Sequence, residues 1–229
     1  MSGVSILQPY PNLFIKQSMK GCLQTLMGCD AKTEYHVATI EDEKTDKFFV
    51  QEESGFCCRF FFQPIHPFKM NMTSGPTAGG PMVATYDRPI RCVAGNCKCC
   101  CYQEIFAFDG ASNAPLGSVI ETLYFCVPQY DLKDQYNEVK YHIAIPTCMG
   151  CLPNYCAEGC CRVPFYVYPK GDTSKEVGKI VRRWGSLGTE IIGVHRFSAE
   201  FPPGSSAEEK ALLLGATYLL NEIYFKTQK

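Results

Sequence analysis

Hydrophobic and polar residues alternate along most of this chain, and the alternation predicts short β-strands separated by tight turns. Residues 138–145 (EVKYHIAI) show the pattern best, because apolar side chains occupy every second position and so share one face of a strand. Since turn-forming Gly, Pro, Asn or Asp closes each run, the pattern favours an antiparallel sandwich or barrel. Runs rich in aromatic and β-branched residues predict the other strands at 35–40, 47–51, 59–62, 68–72, 82–86, 102–108, 118–125, 163–168, 177–184 and 190–201.

The period changes near the C-terminus, where the spacing predicts one helix over residues 206–225. Ser206 and Glu209 form a capping-box pattern ahead of an apolar run. The uncharged stretch 211–220 is 10 residues long, whereas a bilayer-spanning helix needs about 20. A helix that is apolar on nearly every side is buried in protein, and a closed sheet around it would also satisfy every strand edge. We therefore predict a mainly β barrel enclosing this helix.

No long polar tether divides the chain, so we expect one domain over residues 13–229 behind a short tail, residues 1–12. The 229 residues include 22 basic and 23 acidic side chains, and this net charge of −1 gives no general attraction to nucleic acid. The N-terminus lacks the pattern of a secretory signal, so we expect a reducing compartment. The motifs of common hydrolases and phosphate-binding loops are absent from the sequence, and we predict no enzyme.

Four thiols stand within five residues, directly before a predicted strand, at Cys97, Cys99, Cys100 and Cys101. Neither a packed core nor a disulfide framework requires sulfurs this close together. S-acylation would use them, because one acyl chain holds a protein at a membrane only marginally and two or more hold it stably. We interpret the group as a lipid attachment site, with unmodified loop thiols and zinc binding as the alternatives.

A second cysteine-rich segment has a spacing suited to zinc. Four thiolates could complete a tetrahedral shell there, and acylated or free thiols are the alternative. The four histidines of the chain are scattered singly and add no ligand pair. The candidate zinc ligands are Cys148, Cys151, Cys156 and Cys160.

Basic residues concentrate on the predicted strand 177–184, where Lys179, Arg182 and Arg183 form a candidate basic patch. Strand geometry places Arg182 on one face and the other two residues on the opposite face. The patch fits contact with acidic lipid or with a nuclear importer. An ordinary solvated strand is the alternative.

Four segments occur in a characteristic order along residues 13–225: DRPIRC at 87–92, the cysteine group with QEI at 103–105, GKIVRRW at 178–184, and FP at 201–202 ahead of KALLLGA at 210–216. Together these segments resemble the phospholipid scramblase family. The resemblance implies a twelve-stranded tubby-like barrel around the C-terminal helix and palmitoylation at the cysteine group. It also implies Ca²⁺-stimulated movement of phospholipids between leaflets, from the cytoplasmic face of the plasma membrane.

The chain departs from the family pattern in three ways. About a dozen residues precede the domain in place of a long proline-rich arm, so we expect no partner recruitment through such an arm. The counterpart of the family's calcium loop, residues 193–204, holds one carboxylate, Glu200, and calcium takes six to eight oxygen ligands, so we expect weak Ca²⁺ binding there. Asn221 and Glu222 shorten the apolar span of a helix that is often described as membrane-spanning.

The sequence thus predicts a scramblase-family protein held at the inner leaflet by acylated cysteines and acting on phospholipids without covalent chemistry. Three routes stay open: the helix leaves the barrel and oligomerises, the protein thins the bilayer, or this member does not scramble. One alternative is a non-transporting adaptor of tubby-like fold that binds lipid headgroups or a protein, with access to the nucleus through the 178–184 strand. Another is a zinc-dependent structural protein.

Overall fold

The structure, a computed structural model, describes residues 2–18, 33–53, 67–91, 101–124, 127–146, 162–185 and 194–225. Within these residues, twelve strands form a closed barrel in which neighbouring strands are antiparallel and strand order follows the chain. Pairing of the first strand with the last closes the sheet, which removes the exposed edges that an open sheet would have. The strands are β1 Asn12–Gln17, β2 Glu34–Ala38, β3 Phe48–Glu53, β4 Phe68–Ser74, β5 Met82–Arg88, β6 Glu104–Asp109, β7 Pro115–Glu121, β8 Gln129–Asp134, β9 Val139–Ala144, β10 Val163–Pro169, β11 Gly178–Arg183 and β12 Arg196–Glu200.

The predicted closed barrel around a C-terminal helix is confirmed. Ten of the described strands overlap predicted ones, whereas β1 and β8 are not predicted. The predicted strand 59–62 lies outside the described residues. Of the predicted strand 190–201, residues 190–193 lie outside the described residues, and the described strand is Arg196–Glu200.

The helix fills the barrel. Helix α1, Ala207–Leu220, begins at the predicted capping box, in which the Ser206 side chain accepts from the Glu209 backbone and the Glu209 side chain accepts from the Ser206 backbone. A π-helical turn, Asn221–Phe225, follows it. Five leucines of α1 are each at most 1% exposed, which is the burial that an all-round apolar helix requires. They are Leu212, Leu213, Leu214, Leu219 and Leu220.

The predicted N-terminal tail is packed into the domain. Residues Gly3–Leu7 form a 3-10 turn, and the side chains of Val4 and Leu7 are fully buried. The Lys210 ammonium on α1 donates a hydrogen bond to the Gln8 carbonyl oxygen at 2.6 Å. Packing of the N-terminal segment could not be predicted from the sequence, because two isolated apolar side chains and one lysine form no periodic pattern.

The barrel has two distinct ends, because consecutive connections in an up-and-down barrel alternate between them. Connections 18–33, 54–67, 89–103, 122–128, 145–162 and 184–195 all join strands at one end, and α1 runs toward that same end. By sequence, all 15 cysteines of the chain fall in five of these six connections, and residues 184–195 hold none. We call this the cysteine end and the other the opposite end. Of the cysteines, Cys101 alone is among the described residues.

Candidate functional site

The predicted acylation group belongs to the connection between β5 and β6, at the cysteine end. Cys97, Cys99 and Cys100 lie outside the described residues. Cys101 is partly buried, has a φ of 58°, and forms a disulfide whose partner also lies outside the described residues. A sulfur in a disulfide cannot carry an acyl chain, so acylation at Cys101 requires the reduced thiol.

The predicted zinc ligands also lie outside the described residues; they are Cys148, Cys151, Cys156 and Cys160. Among the residues that the structure does describe, no group of three or more His, Cys, Asp and Glu side chains is arranged to hold a metal ion.

The predicted calcium stretch, residues 193–204, includes a strand. Residues Arg196–Glu200 form β12, which pairs with β1 on one side and β11 on the other. The Glu200 carboxylate faces the Lys179 ammonium at 3.9 Å across the β11–β12 pair. One carboxylate beside an ammonium group, on a backbone already paired on both sides, does not match the oxygen-rich shell that calcium requires.

The predicted basic patch is divided by the barrel wall. Arg182 is only 8% exposed, and its guanidinium lies over the Phe225 ring, 5.0 Å from the ring centroid. Arg183 faces outward and donates to a Glu43 carboxylate oxygen at 2.8 Å, while Lys179 faces Glu200. The predicted distribution over two faces therefore holds, and the three basic side chains do not form one surface.

A buried charged cluster that was not predicted from the sequence lies inside the barrel at the cysteine end. The Arg88 guanidinium is 1% exposed and donates to the Gln103 amide oxygen at 2.7 Å. Burial lowers the pKa of Arg88, and the nearby Glu222, Tyr130 and Glu121 side chains oppose that shift. We call this group the inner polar cluster; its members are Glu52, Arg88, Gln103, Glu121 and Glu222.

Two carboxylates of the inner polar cluster also hold backbone segments together. Glu52 accepts from the Thr33 backbone N–H at 3.1 Å, and Glu121 accepts from the Gln103 backbone N–H at 3.0 Å. A usable signal was present in the sequence, because Glu52 and Glu121 fall on the inward parity of their strands, as Val50 and Val119 do. Charged residues on inward parity indicate a buried polar network.

The C-terminal end of the helix is held by polar contacts at this same place. The Asn221 amide donates to the Tyr35 hydroxyl at 2.7 Å, and the Tyr224 and Tyr130 hydroxyls are 2.7 Å apart. Burial, with the charge of nearby Glu222, raises the pKa of Tyr35 well above its ordinary value, so this phenol stays protonated. Polar anchoring of Asn221 explains why a buried helix tolerates a polar end.

Among the described residues, no helix has both the length and the apolar character needed to cross a membrane.

Comparison with known proteins gives the family. The chain is 28% identical over 225 residues to phospholipid scramblase 2 of Bos taurus, covering 98% of this chain and 71% of that protein. It is 26% identical over 227 residues to phospholipid scramblase 1 of Homo sapiens, covering 98% of this chain and 66% of that protein. It is 21% identical over 225 residues to phospholipid scramblase family member 5 of Homo sapiens, covering 98% of this chain and 77% of that protein.

No solved structure matches the chain. The family model described as Scramblase matches residues 1–227, which include every strand of the barrel and the helix within it. The chain belongs to the Scramblase family.

Proposed function

We propose that this protein promotes the movement of phospholipids between the two leaflets of a bilayer, from a position on the cytoplasmic face of the plasma membrane. The observation that carries the proposal is the family match over residues 1–227. Relatives named phospholipid scramblase align with 98% of the chain, so the likeness covers the whole barrel. Lipid movement of this kind makes and breaks no covalent bond.

The anchor in this proposal is a set of acyl chains on the cysteine group that precedes β6. Two or more chains give stable attachment, and each buried methylene contributes about 0.8 kcal/mol. The dense spacing of the thiols supports multiple acylation. The proposed sites are Cys97, Cys99, Cys100 and, in its reduced form, Cys101.

In this proposal the helix stays in the barrel, and the protein sits on the surface of the bilayer and perturbs it from there. Support comes from the burial of α1, because a helix enclosed by protein offers lipid headgroups no path across hydrocarbon. Of the two routes by which the protein could move lipid, thinning of the bilayer requires less change in this fold than departure of the helix.

We expect little stimulation by Ca²⁺ through residues 193–204. Support for this comes from Glu200, whose carboxylate already faces Lys179. Calcium binds poorly where so few oxygen ligands are free.

The second candidate is a non-transporting adaptor of tubby-like fold that binds lipid headgroups or a protein partner. The same burial of α1 favours it, since a closed barrel with a filled interior can bind at its surface without opening. Burial of Arg182 leaves only Lys179 and Arg183 of the basic patch on the outer wall, which weakens the case for contact with a nuclear importer.

Reconstitution tests the proposal directly. The acylated protein is inserted into vesicles that carry dye-labelled phospholipid, and leaflet exchange is followed with and without Ca²⁺. We expect exchange faster than in protein-free vesicles and nearly independent of Ca²⁺. Exchange no faster than in protein-free vesicles would contradict the first candidate and leave the adaptor.

Mass measurement and cell fractionation test the anchor with a variant in which the four cysteines of the cysteine group are replaced by serine. The protein should lose its acyl mass and move to the soluble fraction of cells. A matched variant changes four cysteines of the other segment and should keep both membrane attachment and acyl mass. The first variant carries Cys97→Ser, Cys99→Ser, Cys100→Ser and Cys101→Ser; the control carries Cys148→Ser, Cys151→Ser, Cys156→Ser and Cys160→Ser.

A further inference from the structure

Three large apolar side chains are exposed at the cysteine end. Ile90 follows β5, Leu123 follows β7 and Trp184 follows β11, with exposed fractions of 49%, 58% and 44%. A single exposed apolar residue is ordinary. These three stand out because each comes one or two residues after its strand ends, and all three strands end at the same rim.

The three residues span the rim of the barrel. In the ring of twelve strands, β5 and β11 are six strands apart, so Ile90 and Trp184 lie on opposite sides. Leu123 is two strands from Ile90, a separation of roughly 10 Å between strand axes. A flat surface that contacts both Ile90 and Trp184 must therefore face the end of the barrel and not its wall.

The two ends differ in charge. By sequence, the six connections of the cysteine end hold six basic and three acidic residues, and Lys226 and Lys229 follow the helix. Of these residues the structure describes Arg91 and Arg162; both are exposed, and the Arg91 guanidinium also pairs with the Glu104 carboxylate at the start of β6. The connections of the opposite end hold seven acidic and four basic residues, all of them described. An anionic surface attracts the first end and repels the second.

Apolar exposure alone would not separate the ends, because Tyr136, Ile6 and Met82 are exposed at the opposite end by 77%, 40% and 36%. The most exposed of them, Tyr136, lies in the β8–β9 turn between Asp134 and Glu138. These two carboxylates share one ammonium group, that of Lys140, at 3.0 and 3.6 Å, so the turn keeps a net negative charge that an anionic surface repels. Among the described residues, exposed basic and exposed apolar side chains coincide at the cysteine end.

We propose that the rim of the cysteine end is the membrane-docking surface, with Ile90, Leu123 and Trp184 seated at the headgroup level of an anionic phospholipid leaflet. This inference rests on the proposed function, and it adds the orientation: the barrel stands end-on, with its opposite end in the cytosol. Tryptophan suits this position because its ring is amphipathic and favours the interface between headgroups and acyl chains. The thiols proposed for acylation belong to the connections of the same end.

The chain supplies its own probe, since Trp184 is its one tryptophan. The full-length, unacylated protein is mixed with vesicles of phosphatidylserine and phosphatidylcholine, and with vesicles of phosphatidylcholine alone. With the anionic vesicles we expect the Trp184 emission to shift to shorter wavelength and to be quenched by lipids brominated near the headgroup. With the neutral vesicles we expect at least about tenfold weaker partitioning, because several basic residues lose their attraction.

Three single substitutions identify the surface. Ile90→Glu and Leu123→Glu should each lower partitioning into anionic vesicles by about tenfold, the effect of losing partial burial of one large apolar side chain and adding a repelled charge. Tyr136→Glu is the matched control, with the same added charge at the opposite end, and should change partitioning by less than about twofold.

The proposal is overturned if the Trp184 emission does not change on anionic vesicles, if neutral vesicles bind equally well, or if Tyr136→Glu weakens binding as much as the rim substitutions. None of these readouts needs acyl chains or lipid movement. A protein that fails the leaflet-exchange assay but seats Trp184 in the bilayer would contradict the proposed transport function alone. A protein that exchanges lipid without seating Trp184 would contradict the docking surface alone.

Discussion

Single buried charges in this protein join segments that are far apart in the sequence, and Asp109 is the clearest case. Its carboxylate accepts hydrogen bonds from the Ser2 hydroxyl, the Val4 backbone N–H and the Ser112 backbone N–H. Burial by itself would raise the pKa of Asp109, but these hydrogen bonds outweigh it and hold the pKa well below its ordinary range. One side chain thereby fastens the N-terminal turn to the β6–β7 hairpin.

Replacing this carboxylate tests that role. Asp109→Asn should lower the free energy of unfolding at pH 7 by about 2 kcal/mol, because hydrogen bonds to a charged acceptor become neutral ones. A depressed folded-state pKa contributes stability above the unfolded value, near 3.9, and loses it as the pH falls toward the folded value. The difference in free energy of unfolding between wild type and variant should therefore be constant from pH 5 to 8 and should shrink below about pH 4, as measured by denaturant titration.

The exposed carboxyl Glu176 supplies the control, since Glu176→Gln removes a charge from a solvated turn and should change stability by less than about 0.5 kcal/mol. If Asp109→Asn lowers the free energy of unfolding equally at pH 3 and pH 7, the role of Asp109 as a charged hydrogen-bond acceptor is contradicted.

At the residue scale, prediction from the sequence was limited because the sequence does not show which side chains contact each other across the barrel. Alternation gives the parity of a residue, so it correctly divides Arg182 from Lys179 and Arg183. Parity does not say which side chains meet inside a closed barrel. Arg88 and Gln103 are 15 positions apart and meet only because β5 and β6 are neighbours there. The disulfide at Cys101 likewise depends on a partner that spacing does not identify.

At the scale of elements, β8 was missed because it has few apolar residues, whereas the other missed strand, β1, carries Leu13, Phe14 and Ile15. Gln129–Asp134 carries only Tyr130 and Leu132 on its inward face, with polar and charged residues between them. Such a strand exists because β7 and β9 supply hydrogen-bond partners on both sides, which is a tertiary effect on a weak local preference. The helix was predicted well, since a capping box and an all-apolar run are local signals.

The helix prediction leads to a direct test of whether α1 is a core element. Leu214 is fully buried, so Leu214→Ala should lower the free energy of unfolding by about 2 to 5 kcal/mol through lost burial and the cavity left behind. Leu123→Ala is the matched control, because Leu123 is mostly exposed and its loss should cost less than about 0.5 kcal/mol. Equal, small effects in denaturant titrations of the two variants would mean that α1 does not fill the barrel in solution.

For the whole molecule, the energy of the filled barrel bears on how lipid could move. The five core leucines of α1 together contribute about 8 to 15 kcal/mol of burial, which is comparable to the 5 to 15 kcal/mol of net stability typical of a folded domain. Transfer of these leucines from the barrel into the hydrocarbon of a bilayer would change their free energy little. The apolar residues that line the empty barrel would, however, then contact water. Departure of the helix would therefore unfold the barrel unless a second element replaced it.

Hydrogen exchange on vesicles can distinguish a helix that stays in the barrel from one that leaves it, because the method reports on the barrel wall as well as on the helix. We expect the amides of α1, and those of β6 and β7 against which it packs, to exchange as slowly on anionic vesicles as in solution. A helix moved into the bilayer would stay protected by lipid, so α1 alone is not diagnostic. Strands β6 and β7 would lose protection in that case, because their inner faces would be open to water. Leu214→Ala supplies the reference for a loosened barrel, in which all three elements should exchange faster together. Deprotection of β6 and β7 on vesicles, with α1 still protected, would show that the helix leaves, and lipid movement would then have to be explained by an inserted helix.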